Sequence, residues 1–222
     1  MGQKVHPHGF RIGVIYTWPS VWFAPRRKYR ALFLRDVAIR KYIHARIKDA
    51  GISEIHIERA KKVIVTIHTS KPGVIIGKQG AAIEDLRKDM EREFGESFEV
   101  NIREVRNPEA DAFVIAENIR GQIERRMPYR RAVKMALEKA MQAGALGVKV
   151  RVSGRLNGAE IARDDLFKQG NVPLHTLRAN IQFAIEHAKT TYGTIGVKVW
   201  VYKGMVFRQV QEVQSAALQS AS

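Results

Sequence analysis

Pro72-Gly73-Val74-Ile75-Ile76-Gly77-Lys78-Gln79-Gly80 decides how this chain is read. An apolar run, spacing a short helix over 72–76, ends in a Gly-x-x-Gly loop, Gly77 to Gly80, that carries Lys78. Beyond it Ile83, Leu86, Met90 and Phe94 recur at helical spacing, and Gly95 supplies a stop. Glycine has no Cβ, so Gly77 and Gly80 let another backbone approach closely. Lys78 can meet a phosphate there, while Gln79 offers only neutral hydrogen bonds. A nucleotide-binding P-loop does not fit: three residues separate Gly73 from Gly77 where four are needed, and Gln79 stands where Ser or Thr would hold magnesium.

Working outward, Ile39, Ile43 and Ile47 recur every four positions from about Asp36 to Ala50, a helix that Gly51 ends. Ile55 and Ile57 alternate with Glu54, His56 and Glu58, and Val63, Val65 and Ile67 alternate after the turn, which predicts a hairpin. Phe98, Val100 and Ile102 make a third strand. The order α-β-β-α-α-β over 31–106 resembles a type II KH domain, an RNA-binding module whose Gly-x-x-Gly loop clamps the nucleic-acid backbone. With that order around the loop, RNA contact is favoured over a plain helix-turn-helix. Residues 1–30, with Pro7, Pro19, Pro25 and the run Arg26-Arg27-Lys28, read as a basic arm ordered by a partner.

Asn107-Pro108-Glu109 is a helix start and marks a domain boundary. Ile115, Ile119 and Ile123 give one buried stripe; after Pro128, Val133, Leu137, Ala140 and Met141 give another, stopped by Gly144. Alternating segments follow at Val148–Val152, around Glu160–Phe167, at Ile181-Phe183-Ile185 and at Val197-Val199-Val201. The expected fold class is therefore α+β in two domains, the second (107–210) carrying two helices on a mostly antiparallel sheet, with a flexible tail over 211–222.

The chain has 222 residues, 38 Lys+Arg and 22 Asp+Glu, a net charge of +16. Such a field attracts polyanions. The surplus is uneven: residues 1–50 hold 11 basic against 2 acidic residues, residues 51–110 hold 10 against 11, and the rest hold 17 against 9. The glycine loop thus sits in a nearly neutral segment, and the electrostatic grip must come from the flanks. No apolar run approaches the ~20 residues that span a bilayer, the start lacks an apolar leader core, and cysteine is absent. A cytoplasmic, membrane-free location is expected.

Arg130, Arg131 and Lys134 share one helical face, opposite Val133 and Leu137, with Glu138 the acid near enough to neutralise it. Arg125 and Arg126 add to the excess, which favours a polyanion site over a solvated face. Lys149 and Arg151, extended by Arg155, alternate with Val148, Val150 and Val152, and Arg163 and Arg178 are placed on the same surface. A solvated and an RNA-facing sheet explain this strand equally well. In the arm, Lys4, Arg11, Arg26, Arg27 and Lys28 are further RNA-binding candidates. The seven histidines do not cluster at metal-ligand spacing, and Asp164-Asp165 reads as a turn or surface pair. No nucleophile, acid–base or cofactor motif stands out, so neither an enzyme nor a small-molecule substrate is expected.

Ordered motifs then cover about residues 1–204: GQKVHPHGFRIG from Gly2, WFA from Trp22, VTIHTSKPGVIIGKQG from Val65, EVRNPEADA from Glu104, QIERRMPYRRAVKMALEKAM from Gln122, VRVSGRLNGAEIAR from Val150, VPLHTLRANI from Val172 and TTYGTIGVKVWVYKG from Thr190. They resemble the bacterial members of the family of ribosomal protein number three of the small subunit. The resemblance implies a structural protein of the subunit head, bound to small-subunit rRNA beside the ribosomal proteins numbered ten and fourteen. It also implies a place near those numbered four and five, where mRNA comes into the ribosome. By position, the mRNA-contacting face falls on Arg130, Arg131 and Lys134, and the loop lysine on Lys78. The chain departs from more basic relatives at Gln79 and Met135. A free KH-domain regulator or RNA chaperone acting off the ribosome is the competing reading.

Overall fold

A computed structural model describes residues 4–47, 50–60 and 62–207. The chain divides into two compact units, one formed by 18–106 and the other by 1–17 with 107 onward.

In the first unit, α2 (Arg26–Arg46) is followed by β2 (Ile52–Arg59), β3 (Val63–Thr69), α3 (Pro72–Ile76), α4 (Ala81–Phe94) and β4 (Phe98–Glu104), with a short edge strand β1 (Ser20–Val21) before them. This is the expected α-β-β-α-α-β order with one strand added. The sheet order is β1-β2-β3-β4. β2 and β3 form the antiparallel hairpin, whereas β3 and β4 run parallel with Val63 opposite Phe98. A parallel pair needs a long crossover, and α3 with α4 supplies it. Ile57, Val65 and Ile67 from the sheet meet Ile39, Ile43 and Met90 from the helices in a fully buried core. Gly95, with φ 67°, ends α4 in the left-handed conformation.

α2 starts ten residues earlier than the periodicity of Ile39 and Ile43 indicates. Pro25 precedes its first turn and no Gly or Pro interrupts 26–46. Its first half buries little, so no apolar stripe announces it: Tyr29, Phe33 and Leu34 are about half exposed. Arg26, Arg27 and Lys28 are thus exposed residues of a helix turn, not of an extended arm. At its other end α2 stops at Arg46 with Ile47 as cap, ahead of Gly51.

A buried carboxylate ties this unit together. Asp36 on α2 accepts hydrogen bonds from Trp22 Nε1 at 2.7 Å and Ser20 Oγ at 3.2 Å, and from Arg59 Nε on β2 at 2.8 Å. Arg59 reaches on to Glu96 at 2.7 Å, which also pairs with Arg35. Burial alone would raise the Glu96 carboxyl, but the hydrogen bonds and charges of Arg59 and then Arg35 outweigh it and hold the pKa below the ordinary value.

The second unit begins with α1 (Pro7–Arg11). α5 (Ala112–Glu124) and α6 (Tyr129–Gln142) follow, then strands β5 (Gly147–Gly154), β6 (Arg163–Gly170), β7 (Ala179–Thr190) and β8 (Gly193–Met205). The strands form an antiparallel sheet in the order β6-β5-β8-β7. Val148, Val150, Val152, Val197 and Val199 face Ile115, Ile119, Val133 and Leu137 of the helices in one core. Asp111, rather than Asn107, caps α5, accepting from the backbone N–H of Phe113 and Val114. On β7 the inward residues are Ala184 and Ala188, and Ile185 is 43% exposed. Ile181, Phe183 and Ile185 do alternate along β7, but on the face away from α5, because the small Ala184 and Ala188 are the residues that fit beneath that helix.

The N-terminal segment is ordered by its own chain. Arg11 is fully buried and donates to the carbonyls of Pro7 (2.9 Å), Leu174 (2.9 Å) and Thr176 (2.9 Å). His6 packs edge-on against Phe183, His8 stacks on Tyr16, and the Tyr16 hydroxyl bonds Asn180 Oδ1 at 2.7 Å. Arg11 is therefore removed from the RNA-binding candidates, and the supposed arm of 1–30 is divided between the two units. The tail over 211–222 lies outside the described residues.

Asp36→Ala leaves the Arg59 guanidinium and the Trp22 indole without their buried acceptor and should destabilise the first unit by about 3 kcal/mol, read as faster hydrogen exchange at the β3 amides of the full chain. Because Glu96 titrates lower in the folded state, its stabilisation is complete above about pH 4.5, its unfolded value, and is lost as the pH falls through the folded value. Glu96→Gln should flatten that acid limb of the exchange profile.

Candidate nucleic-acid interface

Local backbone geometry shapes the glycine loop. Gly77 ends α3 at φ 70° and ψ −168°, a region open essentially to glycine alone. A tight turn over 78–80 follows, with Gln79 at φ 52° and Gly80 at φ 80°. Lys78 and Gln79 are both exposed at the tip, ahead of the first turn of α4. Ile75 belongs to the core at 3% exposure, while Ile76 is 39% exposed beside the loop. The turn thus presents Lys78 and open backbone to solvent, a geometry suited to a phosphodiester strand.

α6 carries the second surface. Val133, Leu137 and Ala140 lock one side of the helix into the core, so helical spacing sends Arg130, Arg131 and Lys134 outward, all exposed. Arg130 Nε donates to the Tyr129 hydroxyl at 3.0 Å, and that hydroxyl donates to Asp165 at 2.6 Å. Arg130 also lies 3.6 Å from Asp165 and 5.7 Å from the Tyr129 ring centre. Burial, then the hydrogen bond to Asp165, raises the Tyr129 phenol, so it remains protonated and holds both neighbours. Among the described residues Arg131 and Lys134 have no acidic partner within ion-pair distance. The neutralising acid is Asp165 on β6 and not Glu138, and it acts on Arg130 alone.

An open cleft of about 420 Å³ adjoins this face, lined by Tyr129, Arg130, Asn157, Gly158, Arg163 and Asp165. Arg163 therefore belongs with α6, not with the surface of Lys149 where the alternation placed it. Asp164 and Asp165 lie within β6 rather than in a turn, and point to opposite sides: Asp164 pairs with Arg151, Asp165 with Arg130. Arg155 is bound to the turn it starts, donating to Ala159 O at 2.9 Å and Tyr192 O at 3.3 Å. Lys149 and Arg151 stand on the sheet face away from the helices, as predicted, and Arg178, Arg125, Arg126 and Lys4 are exposed. Tyr129 went unnoticed in the sequence, and Asp165 was read only as half of a turn or surface pair, because strand register, which brings β6 beside α6, leaves no local signal. No helix among the described residues is long and apolar enough to cross a membrane, and no metal-binding cluster of His, Asp or Glu occurs among them.

Residues 38–110 match the family described as KH domain, and residues 119–201 match Ribosomal protein S3, C-terminal domain. The chain is 53% identical over 213 residues to the small ribosomal subunit protein uS3 of Carboxydothermus hydrogenoformans, covering 96% of each. To the protein of that name from Nitrosococcus oceani it is 49% identical over 222 residues, covering 100% of this chain and 99% of the relative. This chain belongs to the uS3 family. Family membership makes it a structural protein and not an enzyme, and the two matched domains correspond to its KH and C-terminal folds. Membership of the uS3 family and the KH domain associates this chain with the small ribosomal subunit and its rRNA.

The two loop glycines should behave differently on substitution. A Cβ at Gly77 would lie 2.6 Å from Ala82 Cβ, whereas Gly80 has open space around it. Gly77→Ala should cost about 3 kcal/mol and Gly80→Ala about 1 kcal/mol, measured by hydrogen exchange of the first unit. Loop binding is therefore best probed with Lys78→Ala, which should leave that stability unchanged.

Proposed function

We propose that this protein is a structural constituent of the small ribosomal subunit head, holding rRNA and guiding incoming mRNA across the α6 face. The observation that carries the mRNA reading is the pair Arg131 and Lys134, exposed and without an acidic partner among the described residues, beside an Arg130 held in place by Tyr129 and Asp165. Such a face suits a moving strand. Unpaired cations attract phosphates without reading bases, and screened contacts of this kind form and break quickly. Asp165 keeps Arg130 from folding back onto the helix, so three cations stay arrayed along one side.

Lys78 and the open backbone of the glycine loop supply the rRNA contact of the first unit, joined by Arg26, Arg27 and Lys28 on the first turn of α2. Neighbours in the particle are the ribosomal proteins numbered ten and fourteen, with those numbered four and five near the mRNA path, in the cytoplasm. Support comes from near full-length similarity to relatives named small ribosomal subunit protein uS3 and from the surplus of +16.

In a sucrose gradient of cell lysate the protein should sediment with small subunits; recovery mainly in light soluble fractions would contradict the ribosomal role and favour a free regulator. Replacing Arg130, Arg131 and Lys134 with alanine should spare assembly but slow translation through stable mRNA hairpins. The salt slope of single-stranded RNA binding should flatten by about 2, at about 0.7 per phosphate contact. Unaltered hairpin passage in assembled ribosomes would remove α6 from the mRNA path.

A further inference from the structure

The sheet of the second unit has one face under α5 and α6 and another away from them, and strand register brings a second group of cations together on the latter. Across β6, β5, β8 and β7 one row reads Lys168, Lys149, Trp200, Phe183 and the next Leu166, Arg151, Lys198, Ile185. Partners across neighbouring strands lie about 5 Å apart, so Lys149, Lys168, Arg151 and Lys198 form one compact group. Asp164, paired with Arg151, is the acid on these rows or the row beside them among the described residues. Lys149 lies 5.2 Å from the Trp200 ring centre, which props its ammonium group over an aromatic surface. Burial, and then the charges of Lys4, Lys168 and Arg151, lower the Lys149 pKa, so its neighbours repel it more than any acid relieves it. Repulsion left standing on a folded surface is relieved by an external polyanion.

This group is separate from the α6 face. The valines of β5 point to the helices while Lys149 and Arg151 point away, and Arg131 and Lys134 point away from the sheet on the far side of α6. A helix with its side chains is about 10 Å across, and the Debye length at 0.1 M salt is also about 10 Å. One helix layer and the sheet thus screen each group from the other, and a single extended strand cannot lie on both.

We propose that the face of the sheet away from α5 and α6, centred on Lys149, Lys168 and Lys198 and bounded at β7 by His6 on Phe183, is a second RNA-phosphate docking surface, so that this unit holds two RNA segments on opposite sides. The proposal rests on the RNA-binding reading above and extends it from one surface to two. Its occupant is RNA by charge complementarity: several cations with one paired acid, and no arrangement of donors and acceptors that would read a base edge. The apolar Leu166 and Ile185, 57% and 43% exposed, border the group and would lie against ribose.

Lysine footprinting on the full chain tests it, with acetylation by an N-hydroxysuccinimide ester read by mass spectrometry in the presence and absence of single-stranded RNA. RNA should reduce the reactivity of Lys149, Lys168 and Lys198 severalfold, and should do so equally in the Arg131→Gln/Lys134→Gln variant. Lys149→Gln/Lys168→Gln/Lys198→Gln, with an unchanged circular dichroism spectrum, should flatten the salt slope by about 2 while Lys134 remains protected. Protection of Lys134 with unaltered sheet lysines overturns the second surface and leaves the α6 reading standing. Loss of sheet protection in the helix variant also overturns it, since the two faces would then be one site. If neither face is protected, the RNA-binding reading falls and this inference with it. Protection by poly-glutamate where RNA gives none would assign the face to an acidic protein and overturn the RNA claim.

Discussion

Sixteen surplus positive charges repel one another, and the fold must contain them without neutralising the ones that serve a partner. In water two charges 4 Å apart interact by only about 1 kcal/mol, so cations left at the surface cost little. Burial changes that balance, and each cation taken inward is given an acceptor. Arg59 is enclosed by Asp36 and Glu96, Arg120 by Glu117 and Glu186, and Arg11 by the backbone carbonyls of Pro7, Pro173, Leu174 and Thr176. Arg131, Lys134, Lys168 and Lys198 stay outside this arrangement. Acids are thus directed to cations that hold structure, and the remainder of the charge is displayed.

Asp165 joins both duties. It closes the hydrogen-bonded chain through Tyr129 to Arg130, which fixes a displayed cation by means of a partly buried carboxylate on another element. Its neighbour Asp164 does the corresponding work for Arg151 on the opposite side of β6. Two adjacent acids therefore serve two separate cationic surfaces, because successive strand residues point to opposite faces. In the first unit the same economy of acids leaves Lys78 exposed on a turn whose conformation Gly77 and Gly80 make possible.

How much could be read without coordinates depended on the range of the interaction concerned. Periodicity is local, so the glycine loop, α4, α6 with its outward Arg130, Arg131 and Lys134, and the Val148-Val150-Val152 strand were legible. The first half of α2 was not, because an exposed helix has no apolar stripe. The alternation of Ile181, Phe183 and Ile185 was legible, but not that it faces away from α5, since the space beneath that helix is set by packing and takes Ala184 and Ala188. Arg11 looked like any other arginine of a basic segment, since its acceptors Leu174 and Thr176 lie more than 160 residues away.

By itself the sequence determined the order of the helices and strands from α2 to β8, the two cores, the surplus of charge and the position of the glycine loop, but not α1 or β1. The tertiary structure alone decided which basic residues are buried, which are paired and which share a face. Those outcomes depend on strand register and long-range packing, and Arg163, placed beside Arg130 rather than Lys149, shows how far a single residue's role can move when distant segments meet.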